Sequence, residues 1–428
     1  MNMKAMLTVL AAAAAGLASA ADETAAIQGR IDAAWRAGGG TVEVSSGVHP
    51  VGGLLLRSNV TLLLKSGAVL KGSMKPEDYE ILPRETLQPE LRKIKPDRWC
   101  NAVIRASGVS NAAVIGEPGS VIDGSNCYDP LGEEHYRGPH GISAYWSTNI
   151  VCRGYEMRDI GNWAHCFMHC RNLVFEDVKV RAGHDGVHVR WCDDVTISRC
   201  SLLCGDDCVA GCGNRDVTVR DCEINSSCNG FRFGGTRILV ERCKAWGPGR
   251  YAHRYTLTKE QQRASAANST SGRRNMLSFF TYFAVGDSPY AEMPGDIVIR
   301  DCEVRDVDRL FNYNCSGKDE WQTEPILSAA LVGVKASGVK MPLFVHGTKE
   351  HPVRFVMRNC DVAFSEPQSE LMATAFTRSV LLENVRAGNV TGPACRQGEG
   401  CGPLELRGVT GCAGVSAATE NPLSMGRY

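Results

Sequence analysis

Two adjacent carboxylates stand in a cysteine-rich stretch, CGDDCVAGC at residues 204–212. They are Asp206 and Asp207, and a third carboxylate, Asp185, precedes Asp206 by 21 residues. Carboxylates that are held together repel one another, which raises the pKa of at least one of them. A protonated carboxyl beside an ionised one is the pair that glycoside hydrolysis needs, because one group protonates the leaving oxygen while the other activates water.

Two other interpretations of these aspartates stay open on spacing alone. A cluster of carboxylates is also a donor set that Ca²⁺ prefers. Aspartate is, in addition, a common residue of solvated turns with no chemical role. The choice between catalysis, a calcium site and a polar turn depends on whether the fold brings the three side chains together.

An internal repeat of about 21–22 residues predicts how they are positioned. Each unit alternates β-branched and polar residues, turns a polar corner and continues as a second and a third short strand, which predicts a parallel β-helix. Equivalent positions on successive coils then lie about 4.8 Å apart. Asp185 is expected to superpose on Asp206, and Asp207 on Asn229. The clearest units are RNLVFEDVKV from Arg171, DDVTISRCSL from Asp193 and RDVTVRDCEI from Arg215.

The 19 cysteines follow the same period. A small apolar side chain that points inward on each coil forms a stacked interior ladder, and a free cysteine packs as such a side chain. We therefore assign most thiols to packing, with a disulfide conceivable only between the loop residues Cys395 and Cys401. The three predicted series are Cys170, Cys192 and Cys212; Cys200, Cys222 and Cys243; and Cys208 with Cys228.

The chain divides into a leader and one solenoid. Residues 1–20 combine a lysine, the apolar run LTVLAAAAAGL and the small residues Ala18-Ser19-Ala20, the pattern of a secretory signal peptide. Residues 21–428 are predicted to form a single β-helix domain. A helix in DETAAIQGRIDAAWRAGG, with Ile27, Ile31, Ala34 and Trp35 on its apolar face, would cap the first coil. Residues 76–98 and 250–292 lack the repeat and are predicted insertions.

The charge balance narrows the class of partner. The chain carries 47 basic and 47 acidic side chains, so its formal net charge is zero. Nucleic acid and anionic membranes are therefore not the expected partners. No set of cysteines and histidines has a convincing zinc spacing, and we predict neither a metal nor another cofactor.

The motifs around the aspartates resemble glycoside hydrolase family 28, the polygalacturonases and their relatives. The family pattern contains Asn-Thr-Asp-Gly, then Gly/Gln-Asp-Asp, Gly/Ser-His-Gly and Arg-Ile-Lys. Here the first element is Gly183-His184-Asp185-Gly186 and the second is Gly205-Asp206-Asp207-Cys208. The stretches LLLRSNVTLLLKSGAVLKGS at 54–73, VIDG at 121–124 and GNWAHCFMHCRNLVFEDV at 161–178 are also similar. The resemblance covers about residues 38–315 and implies a right-handed parallel β-helix.

The resemblance also implies roles. Asp206 would be the general acid of a single-displacement, inverting reaction, and Asp185 and Asp207 the bases that orient water. Carboxyl groups of an inverting pair are typically about 6.5–9.5 Å apart. The family histidine is replaced by Asn229-Gly230, for which His184 is a candidate substitute, and Arg-Ile-Lys has no clean counterpart, Arg309 being the nearest cation. Asn229, Gly230, His184, Arg309 and Arg232 are the predicted substrate-binding residues, Arg232 for a uronate carboxylate.

These features predict an exported, monomeric, inverting hydrolase of a pectic glycan, located in the periplasm or outside the cell. The insertion at 250–292 would close one end of the groove and make the enzyme exo-acting. A calcium-dependent pectate-type lyase and an inert carbohydrate-binding β-helix are the alternatives. Candidate sugar-stacking side chains, by residue type alone, are Trp146, Trp163, Trp191, Tyr251 and Tyr255.

Overall fold

A computed structural model describes residues 20–79, 100–133, 136–253, 273–285, 293–317, 321–413 and 415–417. The predicted signal peptide lies outside these residues except for Ala20. One α-helix, α1 (Ala20–Arg36), and a short 3-10 helix (Pro76–Tyr79) accompany a long series of strands.

The strands are short and follow one another closely. In chain order they are β1 (Gly40–Val44), β2 (Gly47–Val51), β3 (Leu54–Leu55), β4 (Val60–Leu64), β5 (Ala68–Gly72), β6 (Ala102–Ser107), β7 (Ser110–Gly116), β8 (Val121–Asp123), β9 (Tyr128–Glu133), β10 (His140–Tyr145), β11 (Thr148–Arg153), β12 (Glu156–Arg158), β13 (His165–Met168), β14 (Arg171–Glu176), β15 (Lys179–Ala182), β16 (Val187–Arg190), β17 (Asp193–Ser198), β18 (Ser201–Cys204), β19 (Val209–Arg220), β20 (Glu223–Ser226), β21 (Asn229–Glu241), β22 (Lys244–Trp246), β23 (Met276–Tyr282), β24 (Gly295–Arg300), β25 (Glu303–Arg305), β26 (Val307–Asn314), β27 (Ser328–Val332), β28 (Lys335–Val339), β29 (Leu343–His346), β30 (Val353–Gln368), β31 (Met372–Ala375), β32 (Thr377–Val390), β33 (Cys395–Gln397), β34 (Leu404–Arg407) and β35 (Val415–Ala417).

All of these strands except β9 stack into three parallel sheets, so that each coil contributes one strand to each sheet in turn. The first sheet begins with β1, β4 and β7, the second with β2, β5 and β8, and the third with β3, β6 and β10. The long strands β19 and β21 belong to the third sheet at their beginning and to the first sheet of the next coil at their end. The predicted parallel β-helix is confirmed.

The corners between the first and second sheets repeat the same backbone conformation. Asp177, Arg199, Asp221, Arg242 and Asp301 occupy equivalent corners with φ between 50 and 57°. This left-handed region favours short polar residues. Stacking then places acid beside base: Arg199 Nε lies 2.9 Å from Asp177 Oδ1, and Arg242 Nε lies 2.8 Å from Asp221 Oδ1.

The interior is filled by the inward residues of each strand, stacked on like residues of the next coil. Phe231, Phe280 and Phe311 form one such stack, with ring centroids 6.1 and 5.6 Å apart. All 19 cysteines are free thiols, including Cys395 and Cys401, which both lie beside Thr374 Oγ1.

The interior thiol ladder agrees with the prediction for one series and differs for the others. Cys200, Cys222 and Cys243 are interior as expected, and Cys302 extends the series. Cys212 is not the successor of Cys192, because the register pairs Asp193 with Arg215 and so puts Asn214 in that place. Cys208 and Cys228 do not stack either, since Val209 pairs with Phe231 and Cys228 therefore follows Asp206.

Helix α1 caps the first coil, as predicted. Ile27 and Ile31 are completely buried in the core, and the Gln28 side chain accepts from the Leu55 amide and donates to its carbonyl oxygen. Leu55 thus completes its hydrogen bonds at an otherwise open edge. Trp35, which the spacing placed on the buried face, is 46% exposed. The helix ends before Gly38, which has a φ of 98° that suits glycine.

The second predicted insertion is too long. Strand β23, within residues 250–292, pairs in parallel with β21 and β26 and is a regular strand of the third sheet. Its sequence, MLSFFTY, follows a polar segment and lacks the β-branched alternation that marks the other units. The predicted insertion at 76–98 lies largely outside the described residues. No helix in the described part of the chain is long and apolar enough to cross a bilayer.

Candidate active site

The three aspartates lie at the corner between the second and third sheets, where β15 leads into β16 and β18 into β19. Val187 pairs with Val209, and Val209 with Phe231. Asp185, Asp207 and Asn229 therefore form one column at 22-residue spacing. The predicted superposition of Asp185 on Asp206 is wrong by one residue, and Asp206 stands beside the column.

Repeated hydrogen bonds hold this column. The Asp207 amide donates to Asp185 Oδ1 at 3.2 Å, and the Asn229 amide donates to Asp207 Oδ1 at 3.1 Å. Asn229 Nδ2 donates to the same Asp207 oxygen at 2.8 Å, and Ser278 Oγ donates to Asn229 Oδ1 at 2.7 Å. Each carboxylate thus has one oxygen anchored by its neighbouring coil, which fixes the direction of the other.

Asp206 has different surroundings. Its side chain is 14% exposed, whereas those of Asp185 and Asp207 are 5% and 2% exposed. Arg137 Nη2 lies 3.7 Å from Asp206 Oδ2, and His253 Nε2 lies 3.8 Å from Asp206 Oδ1. Asp206 is therefore the carboxyl group of the three that is most accessible from the groove.

The structure brings the three predicted catalytic carboxylates together. One oxygen of each lies within 4.8 Å of an oxygen of both others. This closest approach is shorter than the typical separation of about 6.5–9.5 Å for inverting pairs and is nearer to the 5–5.5 Å of retaining pairs. The expected wide separation is thus not observed for the nearest oxygens.

Burial and mutual repulsion shift the titration of this group. Burial raises the pKa of Asp185 well above its usual range, and the charges of Asp206 and Asp207 raise it further. Burial and the Asp206 charge raise the pKa of Asp207 to about 6, against the lowering effects of Arg232 and of the Asn229 amide. The site therefore retains a proton at a pH where exposed aspartates have lost theirs.

Arg232 lies beside the aspartates, where a carboxylate-bearing sugar would need a cation. Its Nη1 is 3.9 Å from Asp207 Oδ2. The guanidinium packs over the rings of Phe283 and Trp321, with Cζ 4.0 and 4.6 Å from their centroids. The Arg232 side chain keeps 28% of its surface exposed, so its remaining donors are available to a ligand.

The other predicted binding residues are placed differently. Asn229 anchors Asp207 and is 7% exposed. A Cβ on Gly230 would lie 2.8 Å from the Phe279 carbonyl oxygen and 3.2 Å from Ile224 Cγ2, so this position faces the interior rather than the groove. His184 is completely buried, with its ring 6.0 Å from that of Tyr136. His184 is therefore not a residue of an exposed turn.

Arg309 belongs to the same sheet but lies farther along it. Ser278 pairs with Asn229 on one side and with Arg309 on the other. Two strand spacings, about 10 Å, therefore separate the backbones of Asn229 and Arg309. Arg309 is 4% exposed and lies over the Phe344 ring, with its Nη2 3.6 Å from Met341 Sδ. It flanks the groove but does not touch the aspartates.

Sequence reasoning missed three side chains of the site. His188 Nδ1 is hydrogen-bonded to Asp185 Oδ2 at 2.9 Å, and its ring stacks on Trp163 with centroids 3.7 Å apart. Burial lowers the pKa of His188 well below its usual range, which favours the neutral ring. The polar residue between Val187 and Val189 is a usable signal for His188. Arg137 and His253 come from segments without the repeat and carry no such signal.

The groove is closed on the side of the amino terminus. A second apolar cluster covers the outer face of the third sheet there, formed by Cys100, Tyr145, Cys166 and Met168, each at most 3% exposed. Cys166 pairs with His188 and is therefore only one strand away from it. On the other side, Thr281 and Asn312 follow Arg232 in the same column and are partly exposed. The aspartates thus lie at the closed end of a groove.

Two groups at this corner have the donor types that bind metals. Asp185, Asp206 and Asp207 offer the oxygens that Ca²⁺ prefers. Asp206, Cys228 and His253 also approach one another within 4.8 Å and offer a mixed oxygen, sulfur and nitrogen set. Both groups share Asp206, so a cation bound at either would be coordinated by the carboxylate of the predicted general acid.

The sequence itself matches a known family around this corner. Residues 89–225 match the description "Glycosyl hydrolases family 28", and this segment includes all three aspartates. Over this segment the chain is similar to glycoside hydrolase family 28. It is 22% identical over 181 residues to a probable polygalacturonase of Vitis vinifera and 30% identical over 84 residues to an exopolygalacturonase of Oenothera organensis. These alignments span 37% and 23% of the relatives' own lengths, and 40% and 18% of this chain.

Solved structures share the fold at low identity. The exopolygalacturonase of Thermotoga maritima superposes with a TM-score of 0.63 at 16% identity, over 85% of this chain and 88% of that one. The family 28 exopolygalacturonase of Yersinia enterocolitica gives 0.61 at 15% identity, over 92% and 76%. The A-module of an Azotobacter vinelandii mannuronan C-5 epimerase gives 0.57 at 14% identity, over 94% of this chain and 96% of that one. The fold alone therefore does not fix the chemistry.

Proposed function

We propose that this protein is a glycoside hydrolase of family 28 and that it hydrolyses a glycosidic bond next to a uronate residue at the end of a pectic glycan. The observation that carries the proposal is the convergence of three carboxylates within 4.8 Å beside Arg232. The carboxylates supply acid and base, and the guanidinium supplies the partner for a sugar carboxylate. The names of the relatives, polygalacturonase and exopolygalacturonase, agree with this substrate class.

In this proposal Asp206 protonates the glycosidic oxygen, because it is the most accessible carboxyl of the three. Asp185 and Asp207 each have one oxygen anchored by the neighbouring coil, so their other oxygens can hold one water molecule between them. A base with a pKa of about 6, as for Asp207, accepts a proton readily near neutral pH. Asn229-Gly230 replaces the family histidine, so that position supplies no imidazole. His253, 3.8 Å from Asp206, supplies an imidazole beside the acid instead.

We further propose that the enzyme inverts the anomeric configuration. A retaining enzyme needs one nucleophile, whereas two anchored carboxylates suit the orientation of a water molecule. The short distance between the carboxylate oxygens, taken alone, favours retention of configuration. The anomer of the product therefore distinguishes the two mechanisms. Proton NMR of the first product, recorded before mutarotation, is expected to show inversion, and a retained anomer would refute single displacement.

The closed end of the groove supports exo action. Polymer can extend past Arg232 toward Thr281 and Asn312, but the cluster around Tyr145 and Cys166 blocks the opposite direction. One terminal residue would therefore occupy the closed end. The cluster around Tyr145 and Cys166 lies on the side of the groove away from residues 250–292, which were expected to close it. The described part of that segment instead contributes His253.

The first experiment is product analysis on a panel of pectic oligosaccharides, with Asp206→Asn as the comparison. New reducing ends without ultraviolet absorbance, absent in the variant, would support hydrolysis. A lyase has a specific observation in its favour, because Arg137 and Arg232 lie beside the acidic cluster as a lyase base would. Unsaturated products that disappear on chelation of calcium would replace the hydrolase proposal with that one. We also propose that the protein is secreted, because residues 1–20 have the pattern of a signal peptide. Comparing the amount of the protein in culture fractions tests this proposal.

A further inference from the structure

A second pocket lies on the same outer face of the third sheet, near the end of α1. It is partly open to solvent and has a volume of about 230 Å³. Trp35, Arg57 and Arg105 are among the residues that line it. The complete lining is Trp35, Leu55, Leu56, Arg57, Ser58, Arg105, Ser107, Gly108 and Val109.

Arg105 is a buried cation without a counter-charge. The residue is 4% exposed, and in the described part of the chain no acidic side chain pairs with its guanidinium and no oxygen accepts a hydrogen bond from it. The titratable groups that act on it are the Cys100 thiol and the Tyr145 hydroxyl, and burial raises the pKa of that hydroxyl well above its usual range. Burial lowers the pKa of Arg105, but arginine stays protonated in proteins. An unpaired buried charge is costly, and an anion in the pocket would relieve that cost.

Trp35 and Arg57 add a different recognition element. Trp35 is 46% exposed, whereas Ile27 and Ile31 of the same helix are completely buried. Arg57 Cζ lies 5.2 Å from the centroid of the Trp35 ring, and its Nε lies 2.8 Å from Asp32 Oδ1, which fixes the side chain. An aromatic face offers a stacking surface to a sugar ring. The pocket therefore combines a surface for a ring with a guanidinium for a carboxylate.

This pocket is separate from the aspartates. Arg105, Ser143, Cys166 and His188 are consecutive members of one column on the third sheet, so about 14 Å of backbone separates Arg105 from His188. Ser143 and Cys166 between them are completely buried. A ligand in the pocket therefore does not reach the catalytic corner across the sheet.

We propose that this pocket is a second carbohydrate-binding site, which holds a single uronate residue with its carboxylate on Arg105 and its ring against Trp35. The choice of a uronate among carboxylates rests on the proposed function, whereas the anion site itself does not. Such a site would retain the enzyme on an acidic polymer independently of turnover.

The test uses the full-length mature protein with Asp206→Asn, labelled with ¹⁵N in its tryptophan indoles, so that binding is measured without hydrolysis. The Trp35 resonance is assigned by its loss in Trp35→Phe. D-galacturonate is titrated, with D-galactose as the probe that lacks the carboxylate and acetate as the probe that lacks the ring. Arg105→Met removes the charge at similar length, and Arg153→Met, an arginine 46% exposed and paired with Glu176, is the matched control.

A saturable shift of the Trp35 resonance with galacturonate, at least tenfold weaker with galactose, with acetate and in Arg105→Met but unchanged in Arg153→Met, would support the proposal. An unmoved Trp35 resonance, or an equal shift with galactose, would overturn it. Equal affinity for acetate would overturn the assignment to a sugar. The ligand comparison needs no substitution at Arg105, so a variant that misfolds does not remove the test. A binding result also stands apart from the product analysis, which reports on the catalytic corner alone.

Discussion

Two corners of the same coil differ in the charges that stack on successive coils. Between the first and second sheets, Asp177, Arg199, Asp221 and Arg242 alternate in sign from coil to coil and pair at hydrogen-bonding distance. Between the second and third sheets, Asp185 and Asp207 stack like on like. The pKa of Asp221 is lowered by Arg242, whereas the pKa of Asp207 is raised to about 6.

The comparison shows that the charge at one position of the repeat acts on the charges at the same position of the neighbouring coils, because these positions stack. Alternating charges make a corner that resists titration, and its exposed pairs contribute only modestly to stability. Like charges make a corner that holds a proton it would otherwise lose, at a cost in stability. The same backbone register therefore yields a structural corner or a reactive one, depending on the residues that meet there.

The largest expected effect is on catalysis. Asp206→Asn removes the acid while keeping the shape of the side chain, and we expect kcat/KM on a pectic oligosaccharide to fall by about 10²–10⁴-fold. Asp221→Asn, at the alternating corner, is the matched control and should leave kcat/KM within about twofold of the wild type. Comparable losses in both variants would mean that the reactive corner has no special role.

The second effect is on stability, and its sign differs between the corners. The pKa of Asp207 in the folded protein, about 6, lies above its ordinary value of 3.8. This carboxyl therefore contributes stability below pH 3.8 that is lost as the pH rises through 6, a difference of at most about 3 kcal/mol. Asp207→Asn should raise the free energy of unfolding at pH 8 and change it little at pH 4.

For Asp221 the linkage has the opposite sign. Its lowered pKa gives stability that is present above the ordinary value and lost as the pH falls through the folded value. Asp221→Asn should therefore lower the free energy of unfolding slightly at pH 8. Urea unfolding of both variants at the two pH values measures the contrast, and a shift of the same sign in both would contradict it.

A smaller effect is expected at the cation of the reactive corner. Arg232→Gln removes a charge-assisted hydrogen bond to a sugar carboxylate, a contribution of about 1.5–3 kcal/mol, or roughly tenfold to a hundredfold in kcat/KM. A methyl-esterified substrate lacks that charge and serves as the control. If the variant loses as much activity on the ester, Arg232 supports the aspartates and does not bind the carboxylate.

The smallest effect is on the pH profile. Because the proposed base Asp207 can accept a proton only when it is ionised, kcat/KM should fall as the pH drops below about 6. The Asn229 amide lowers the pKa of Asp207, so Asn229→Ala should move this acidic limb to higher pH. Asn384→Ala, a substitution in an exposed asparagine pair of another coil, should leave the limb in place. An acidic limb that stays in place in Asn229→Ala would exclude Asp207 as its source.

Much of the fold and the central part of the site follow from the sequence, because the repeat itself positions them. Asp185, Asp206 and Asp207, with Arg232 beside them, were predicted from their places in the repeat. The exact register was not, because the coils differ by one residue in length and the sequence does not say where. The register between β19 and β21 shifts between Gly211 and Asn214, after the aspartates rather than before them.

What the sequence did not predict comes from segments outside the repeat or from depth of burial. Arg137 and His253 reach Asp206 from loops whose course no periodicity specifies. His184 and Gly230 are in the predicted corner, but His184 is completely buried and a Cβ on Gly230 would meet Phe279 and Ile224. Trp35 was misplaced because helical spacing identifies an apolar face but not which end of it the neighbouring coil covers.

The stacking of coils also bears on how the reactive corner survives thermal fluctuation. The strands that carry it, β16, β19 and β21, are the fifth, sixth and seventh of the thirteen that the structure describes in the third sheet. A solenoid is stabilised by contacts between neighbouring units, so it frays from its two ends. Coils on either side must open before the central ones lose a neighbour. Placement near the middle thus allows the carboxylates to remain in register while the terminal coils open to solvent. The corner is protected by the number of coils on either side rather than by its own hydrogen bonds.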